Sequence, residues 1–262
     1  MSLLDPVSHA LAVIVATAHD GLTTLGADPT SGATWVLSIA AVVATVRLAL
    51  LPLVVHGVRL AHASARARPQ LQALTARYRG GTDAASLRRL REERSAITAE
   101  HRMPRLGCLP LLLQLPVWLA LYHLLSQVAA GVSVGAMTPD LVASLGAATL
   151  LGVPLADRGY LGLGPAHLAV VGGLAVVAAG LSYVTQRYVV APNTLTDGLP
   201  DAVVAAQHLL PVVSALSLLV VGGVVPVALL TYMVCSSTWT LAQSAVVTRW
   251  FPTPGTPAAA RA

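Results

Sequence analysis

The chain is poor in charged and aromatic residues and has only two cysteines. Of its 262 residues, 10% are charged and 4% aromatic, whereas 55% are hydrophobic. A soluble domain of this length would need far more polar surface to cover its core, so the composition indicates a membrane protein with several spans. Cys108 and Cys235 are isolated from each other, which excludes a disulfide framework or a cysteine-based metal site.

Sequence patterns for covalent chemistry are also missing. The chain has no GxSxG, HExxH or P-loop pattern, and no histidine falls near the middle of an apolar segment. Ser236 and Ser237 have no histidine or aspartate at the same depth. We therefore expect no enzyme, no cofactor and no metal. The absence of carboxylates from the apolar segments argues against a proton-relay pump as well.

Five segments are long and apolar enough to cross a bilayer, which needs about 20 helical residues. Gly222, Gly223 and Pro226 predict a tight turn between the last two segments. A further stretch, 141–156, is interrupted by glycine and proline and is predicted to be an extracytoplasmic surface segment. The predicted spans are 35–58, 106–128, 166–188, 207–223 and 226–248.

Arginine, which supplies all sixteen basic residues of the chain, is concentrated in one loop. Residues 59–105 contain eleven arginines and only four acidic residues. The positive-inside rule makes this loop cytoplasmic, so five spans put the N-terminus outside and the C-terminus inside. The remaining predicted segments are an extracytoplasmic N-terminal segment (1–34), an extracytoplasmic loop (129–165), a cytoplasmic loop (189–206) and a short cytoplasmic tail (249–262).

The N-terminal segment is predicted to form an interfacial helix. Residues 1–20 lack a basic start and a spanning apolar core, so we expect no cleavable signal peptide there. Their apolar side chains fall on roughly one helix face, which suits a helix at the membrane surface. That face carries Leu3, Leu4, Val7, Leu11, Ile14 and Val15.

The basic loop is predicted to be a two-helix hairpin on the membrane surface. Residues 69–79 and 84–101 have apolar side chains at helical intervals and are joined by the sequence GGTD. Pro69 suits the first turn of the first helix, which would separate this helix from the first span. The loop can contact RNA, bind anionic lipid or only set topology, and its interleaved acids favour intrahelical ion pairs over an RNA-binding face.

Arg47 is a permanent charge inside the first span. It lies twelve residues from both Trp35, a plausible interfacial anchor, and Arg59, about 18 Å of helix in each direction. Burying it in lipid would cost about 3 kcal/mol. Pro52 has no backbone N–H to donate a hydrogen bond to the carbonyl of Leu48, so we expect it to kink the helix. With no acid in any span, Arg47 either faces a hydrated cavity open to a substrate or is satisfied by backbone carbonyls.

Four polar residues of the fifth span recur at intervals of four, three and four, which aligns them on one helix face. Singly, such residues usually serve helix packing. Together with an unpaired arginine they predict a shared hydrophilic groove in an all-α bundle of five transmembrane helices. The candidate groove residues are Arg47, Gln114, Gln186, Tyr232, Ser236, Trp239 and Gln243.

In its motifs the chain resembles the YidC membrane protein insertase family, the bacterial branch of the Oxa superfamily, from about residue 33 to residue 250. The resemblance rests on the order and spacing of four stretches. These are VRLALLPL (46–53), RPQLQALTARYR in the basic hairpin, GCLPLLLQLPVWLALYHLL (107–125) and the segment 209–243.

This resemblance implies a non-enzymatic protein of the bacterial cytoplasmic membrane that inserts nascent membrane proteins and helps them to fold. Arg47 would attract the polar or acidic translocated segment of a substrate into a groove open to the cytoplasm and the lipid. The implied partners are nascent chains, the ribosome, the Sec translocon and anionic lipid headgroups, without direct nucleic-acid specificity. The implied recruitment surface of the hairpin is Arg77, Arg79, Arg88, Arg89 and Arg91.

The chain departs from the family pattern in three places. Tyr232-Met233 and Ser237 stand where the family usually has Tyr-Trp and an asparagine, and Met103-Pro104 stands for the usual Asn-Pro. The tail after Arg249 has one arginine and no long basic segment. The alternative function is a small anion transporter or channel, which would be expected to show paired inverted repeats.

Overall fold

The chain is mostly helical in a computed structural model that describes residues 5–78, 80, 83–101, 109–160, 164–196 and 201–261. Within these ranges three helices are long and apolar enough to cross a membrane, Gly32–Ala49, Pro165–Asn193 and Ala202–Gly222. The helices are α1 (Asp5–Thr24), α2 (Gly32–Ala49), α3 (Leu51–Arg77), α4 (Ala84–Glu100), α5 (Leu109–Ala129), α6 (Pro139–Ala147), α7 (Pro165–Val184), α8 (Asp201–Gly222) and α9 (Val227–Trp250).

Helix α7 does not end in a regular α-helical turn. It continues as a π-helix, Thr185–Val190, and a short 3-10 turn, Ala191–Asn193. Two short strands, β1 (Thr149–Leu150) and β2 (Val153–Pro154), pair antiparallel after α6. Their turn places Leu151 and Gly152 at positive φ, as a two-residue type I′ hairpin requires. The stretch 141–156 therefore holds elements too short to cross a bilayer.

The bundle is tightly packed at one end and open at the other. Helix α7 packs against both α8 and α9, and α2 packs against α1 and α9. Every residue of α9 from Val227 to Met233 is buried, whereas none from 234 to 250 is. At the packed end, the backbone N–H groups of Val227 and Ala228 donate to the carbonyls of Asp157 and Leu155, each at 2.9 Å. This end is thus sealed by backbone as well as side chains.

Gly222 and Gly223 make room for an aromatic ring. Neither glycine has a positive φ, so the turn between α8 and α9 does not need glycine for its backbone. A Cβ atom on Gly223 would lie 2.8 Å from the Tyr160 ring, and one on Gly222 would lie 2.9 Å from the Cβ of Ala175. The Tyr160 hydroxyl donates to the carbonyl of Leu219. These glycines therefore admit Tyr160 and the close approach of α7.

The prediction that Pro69 starts a separate helix is wrong, because α3 runs without interruption from Leu51 to Arg77 and contains Pro69. Proline removes one backbone hydrogen bond there. The preceding stretch 61–67 is rich in alanine, the best helix former, and Pro69 is exposed to solvent, so the helix tolerates the loss. The break lies earlier, where α2 ends at Ala49 and α3 begins at Leu51.

Trp35 is not an interfacial anchor, and that prediction is wrong. Its side chain is 0% exposed, its indole nitrogen donates to the Ser144 hydroxyl at 3.1 Å, and its ring lies 4.5 Å from that of His19. Leu11 and Val15 of α1 are buried in the same apolar core as Trp35. Leu3 and Leu4, which were expected on this helix, lie outside the described residues.

Helices α3 and α4 form an antiparallel pair joined through Glu93. The carboxylate accepts hydrogen bonds from Arg77 Nη1 at 3.1 Å and from the Tyr78 hydroxyl at 2.7 Å. The Arg77–Glu93 ion pair joins the two helices, and within the described helix α4 no intrahelical ion pair forms, contrary to what the interleaved charges suggested. Asp83 caps α4 by accepting from the backbone N–H of Ser86, and hydrogen bonds from the side chain and then the backbone of Ser86 lower the pKa of its carboxyl.

Candidate functional site

Arg47 reaches across the bundle from α2 to α9. Its Nη2 nitrogen donates to the hydroxyls of Ser236 at 2.9 Å and Thr240 at 3.1 Å. No carboxylate in the described part of the chain forms an ion pair with it. The side chain is half-buried. Its Nε and Nη1 nitrogens are not left buried without a hydrogen-bond partner. The charge is therefore positioned by neutral groups and is left uncompensated.

Thr240 belongs to the site, although it is not among the groove residues predicted from sequence. Its hydroxyl donates to the carbonyl of Ser236 at 2.8 Å, which leaves the oxygen lone pairs free to accept from Arg47. Ser236 and Thr240 are four residues apart and so lie on the same helix face. This four-residue spacing is the sequence feature from which Thr240 could have been predicted as a site residue. Neither water nor a backbone carbonyl is needed to explain the bonds that Arg47 makes.

Tyr232 lies above Arg47 on the side of the packed end. Both residues line a small cavity of about 10 Å³, enough for roughly one water molecule, together with apolar side chains of α1, α2 and α5. Tyr232 is buried. Arg47 thus sits at the boundary between the sealed half of the bundle and its open half.

Trp239 and Gln243 continue the polar face of α9 towards the open end. The indole nitrogen of Trp239 donates to Gln243 Oε1 at 2.9 Å. Gln243 also lines a cavity of about 290 Å³ between α3, α9 and the residues after the π-helix, whose polar lining includes Asn193, Ser244 and Thr248. Polar side chains therefore extend from Arg47 to an open cleft.

Of the two glutamines predicted from other spans, Gln186 does not contact this group. Gln186 lies in the π-helix and lines a different cavity, in the company of Arg187 and Gln207. Gln114 belongs to α5, but its side chain lies outside the described residues. The structure thus brings together Arg47, Tyr232 and Ser236, with Trp239 and Gln243 following along the same helix.

The arginines predicted as a recruitment surface lie on the α3–α4 hairpin. Arg88, Arg89 and Arg91 are exposed on α4, whereas Arg77 is held by Glu93. Arg79 lies outside the described residues. Helix α4 therefore has an exposed basic surface.

The chemistry available at Arg47 is electrostatic. Across the described ranges no cluster of three histidine, cysteine or acidic residues could hold a metal ion. A guanidinium with accessible nitrogens attracts carboxylates, phosphates and polar carbonyl groups, and it does so more strongly where water is scarce. The guanidinium is thus of a chemical type that suits acidic or polar segments.

Comparison with known proteins identifies the family of this chain. Residues 27–254 match the family model described as 60Kd inner membrane protein. A membrane protein insertase YidC from Streptomyces avermitilis is 31% identical over 245 residues, which cover 90% of this chain and 55% of that protein. The chain thus spans about half the length of this relative.

Other relatives are covered over most of their length. A YidC insertase from Tropheryma whipplei is 27% identical, over 97% of this chain and 86% of that protein. One from Bifidobacterium longum is 25% identical, over 98% of this chain and 78% of that protein. The resemblance found in the sequence is confirmed, and the chain belongs to the 60Kd inner membrane protein family.

Proposed function

We propose that this chain is a membrane protein insertase of the bacterial cytoplasmic membrane. Its substrates are nascent integral membrane proteins, as the names of its relatives suggest. The observation that carries the proposal is the guanidinium of Arg47, which is held by the hydroxyls of Ser236 and Thr240 and paired with no described carboxylate. Such a charge is available to a passing segment of another protein.

The proposed arrangement has five spans around a groove, formed by α2 with the start of α3, α5, α7, α8 and α9. Three of these are, as described, long and apolar enough to cross a membrane. The apolar stretch of α5, Leu115–Ala129, falls short in its described length. In α9 the residues that would face the groove, such as Ser236 and Thr240, lower the hydropathy. The loss of burial along α9 after Met233 supports a groove closed outside and open inside.

In this mechanism Arg47 attracts the polar or acidic end of the substrate some of the way across the membrane. The apolar segment of the substrate then leaves into the lipid between α7 and α9. The attraction has to be weak enough to release the substrate. At about 4 Å and an effective dielectric constant near 20, two opposite charges attract by about 4 kcal/mol, and water in the groove lowers this figure. No covalent bond is made or broken.

The hairpin of α3 and α4 is proposed to recruit the machinery that delivers substrates. Arg88, Arg89 and Arg91 are exposed and basic, and such a surface can contact a ribosome, the Sec translocon or anionic lipid headgroups. The N-terminus is proposed to lie outside and the C-terminus inside, because the hairpin carries most of the arginine.

Complementation tests the proposal. A strain depleted of its own insertase is supplied with the wild-type chain or with Arg47→Ala, Arg47→Lys or Arg47→Glu, at matched protein levels. We expect Lys to retain partial function and Glu to lose it for substrates with acidic translocated tails. Failure of the wild-type chain to support growth and insertion would contradict insertase function. Solute-dependent anion flux through liposomes containing the wild-type chain would favour a transporter instead.

A further inference from the structure

A second polar cleft lies apart from Arg47, at the open end of the bundle. It has a volume of about 390 Å³ and lies between the π-helix, the start of α8 and the C-terminal tail, residues 251–261. Helices α7 and α8 have the highest mean hydropathy among the spanning candidates. The lining residues 186–192 lie at the end of the candidate span Pro165–Asn193, and residues 207–211 lie near the start of Ala202–Gly222, so we expect the cleft to adjoin the lipid headgroups.

The cleft carries positive charge and no described acidic residue. Arg187 and Arg261 line it together with His208, and the amides of Gln186 and Gln207 add hydrogen-bond donors. Neither arginine forms an ion pair with a carboxylate in the portion of the chain that the structure describes. An anion bound here would meet charged and neutral donors at once.

The C-terminal tail is folded onto the bundle in a way that places Arg261. The backbone N–H of Thr253 donates to Asn193 Oδ1 at 2.7 Å, and that of Ala258 donates to the carbonyl of Pro192 at 3.0 Å. Thr253 and Ala258 are buried. A neighbouring cavity of about 240 Å³ is lined by Arg261 on one side and by Arg249 at the end of α9. Arg261 thus stands between two other arginines.

The rest of the cleft is apolar. Val190, Leu210 and Pro211 contribute hydrocarbon surface, and Val190 and Leu210 are exposed. A ligand that suits the whole cleft has an anionic head and a hydrocarbon body. Free phosphate would leave the apolar surface uncovered, and RNA would have to approach a surface at the membrane boundary.

We propose that this cleft binds the headgroup of an anionic phospholipid, with the phosphate between Arg187 and Arg261 and the glycerol and acyl chains against Val190 and Leu210. Basic clefts between membrane helices on the cytoplasmic side are suited to such lipids. The proposal does not depend on insertase activity or on Arg47. It gives the folded tail a function, namely to complete a lipid site.

Native mass spectrometry of the detergent-purified full chain tests the proposal, with phosphatidylglycerol and phosphatidylcholine of the same acyl chains as probes. We expect the wild-type chain to bind phosphatidylglycerol in preference. The double variant Arg187→Gln/Arg261→Gln should bind it at least about tenfold more weakly, whereas the matched Lys pair should stay near wild type. The control Arg59→Gln/Arg66→Gln removes the same charge from exposed positions of α3 that line neither cleft, and should change nothing.

Folding of each variant is checked by size-exclusion elution and circular dichroism. If the Gln pair misfolds, Asn193→Ala serves in its place, because it keeps every charge and loosens the tail, and it should also weaken phosphatidylglycerol binding.

Four outcomes would overturn the proposal. The first is equal binding of the two lipids by the wild-type chain, and the second is an equal loss in the α3 control. The third is displacement of the lipid by inorganic phosphate as efficient as displacement by phosphatidylglycerol, which indicates a free-anion site. Co-sedimentation with ribosomes separates the RNA alternative: loss of ribosome binding in the Gln pair with lipid binding intact also overturns the lipid site.

Discussion

The Nη2 nitrogen of Arg47 lies 2.9 Å from the hydroxyl of Ser236, although 189 residues separate the two in sequence. The bond joins α2 to α9 at the depth where α9 ceases to be buried. A hydroxyl positions a guanidinium without neutralising it. Arg47 is therefore both a link between two helices and an unpaired charge.

The two hydroxyls should stabilise the fold only while the charge is present. We expect Ser236→Ala/Thr240→Ala to lower the free energy of unfolding by about 1–3 kcal/mol, because a half-buried guanidinium loses its partners. Adding Arg47→Met should recover much of this loss. Thr238→Ala is the control, since Thr238 is exposed and its hydroxyl donates to Val234. Thermal unfolding in detergent measures these effects, and an undiminished loss in the triple variant would contradict the account.

The open half of the bundle should be accessible to water from the cytoplasmic side. Single cysteines are placed at Gln243, Ser244 and Ala228 after Cys108 and Cys235 are replaced. Gln243 and Ser244 line the cleft beside α3, whereas Ala228 is fully buried. We expect a membrane-impermeant thiol reagent to label the first two positions in inside-out vesicles and to leave Ala228→Cys unmodified. Labelling at Ala228 as fast as at Ser244 would mean that the packed end is not sealed.

The turn between α8 and α9 should tolerate no side chain at Gly223 while Tyr160 is present. Gly223→Ala introduces a methyl group 2.8 Å from the Tyr160 ring, and overpacking of this kind costs about 1–3 kcal/mol. Gly172→Ala is the control, because no atom lies within 4 Å of a Cβ there. In a Tyr160→Ala background the cost of Gly223→Ala should largely vanish. Unfolding measurements on the four variants give the coupling, and additive effects would exclude the clash.

The hairpin contact between Tyr78 and Glu93 should depend on pH in the alkaline range. The hydrogen bond to Glu93 raises the pKa of Tyr78 above its ordinary value of 10.0, with smaller contributions from burial and the Glu93 charge. A raised pKa means that the bond is fully present below pH 10 and is lost as the pH rises through the folded-state pKa. Glu93→Ala should lower this pKa towards 10.

The tyrosinate absorbance, taken as the difference between each protein and its Tyr78→Phe counterpart, measures that titration. Glu92→Ala is the control, because Glu92 is exposed on α4 and makes no contact with Tyr78 in the described hairpin. A Tyr78 titration that is the same with and without Glu93 would contradict the contact.

Much of the helical architecture could be predicted from sequence, because apolar runs predict helices that suit a bilayer and arginine-rich segments predict the loops between them. The errors concern residues whose surroundings come from distant segments of the chain. Trp35 is buried by α1 and α6, and no local pattern shows which helix will cover a tryptophan. Pro69 lies inside α3 because the alanine-rich turn before it outweighs one lost hydrogen bond.

The candidate site was predictable only along α9. Ser236 and Gln243 share a helix face with Tyr232, and a fixed helical period makes that visible in sequence. Thr240 was missed because threonine is common in membrane helices and its bond to Arg47 depends on the packing of α2 against α9. Gln186 was grouped with Arg47 as a polar residue in a span, but the π-helix places it beside another cleft. The depth of Gln186 in the predicted span does not indicate which helix or cleft its side chain faces.

The most direct test of the central claim is a charge exchange between Arg47 and the substrate. Reporter proteins whose short translocated tail carries either aspartate or lysine are inserted into proteoliposomes containing the wild-type chain, Arg47→Glu or Arg47→Gln. Protease protection of the tail measures insertion. The account predicts that Arg47→Glu lowers insertion of the aspartate tail and raises insertion of the lysine tail, with Arg47→Gln between the two for each tail. Equal insertion of both tails by Arg47→Glu and the wild-type chain would contradict it.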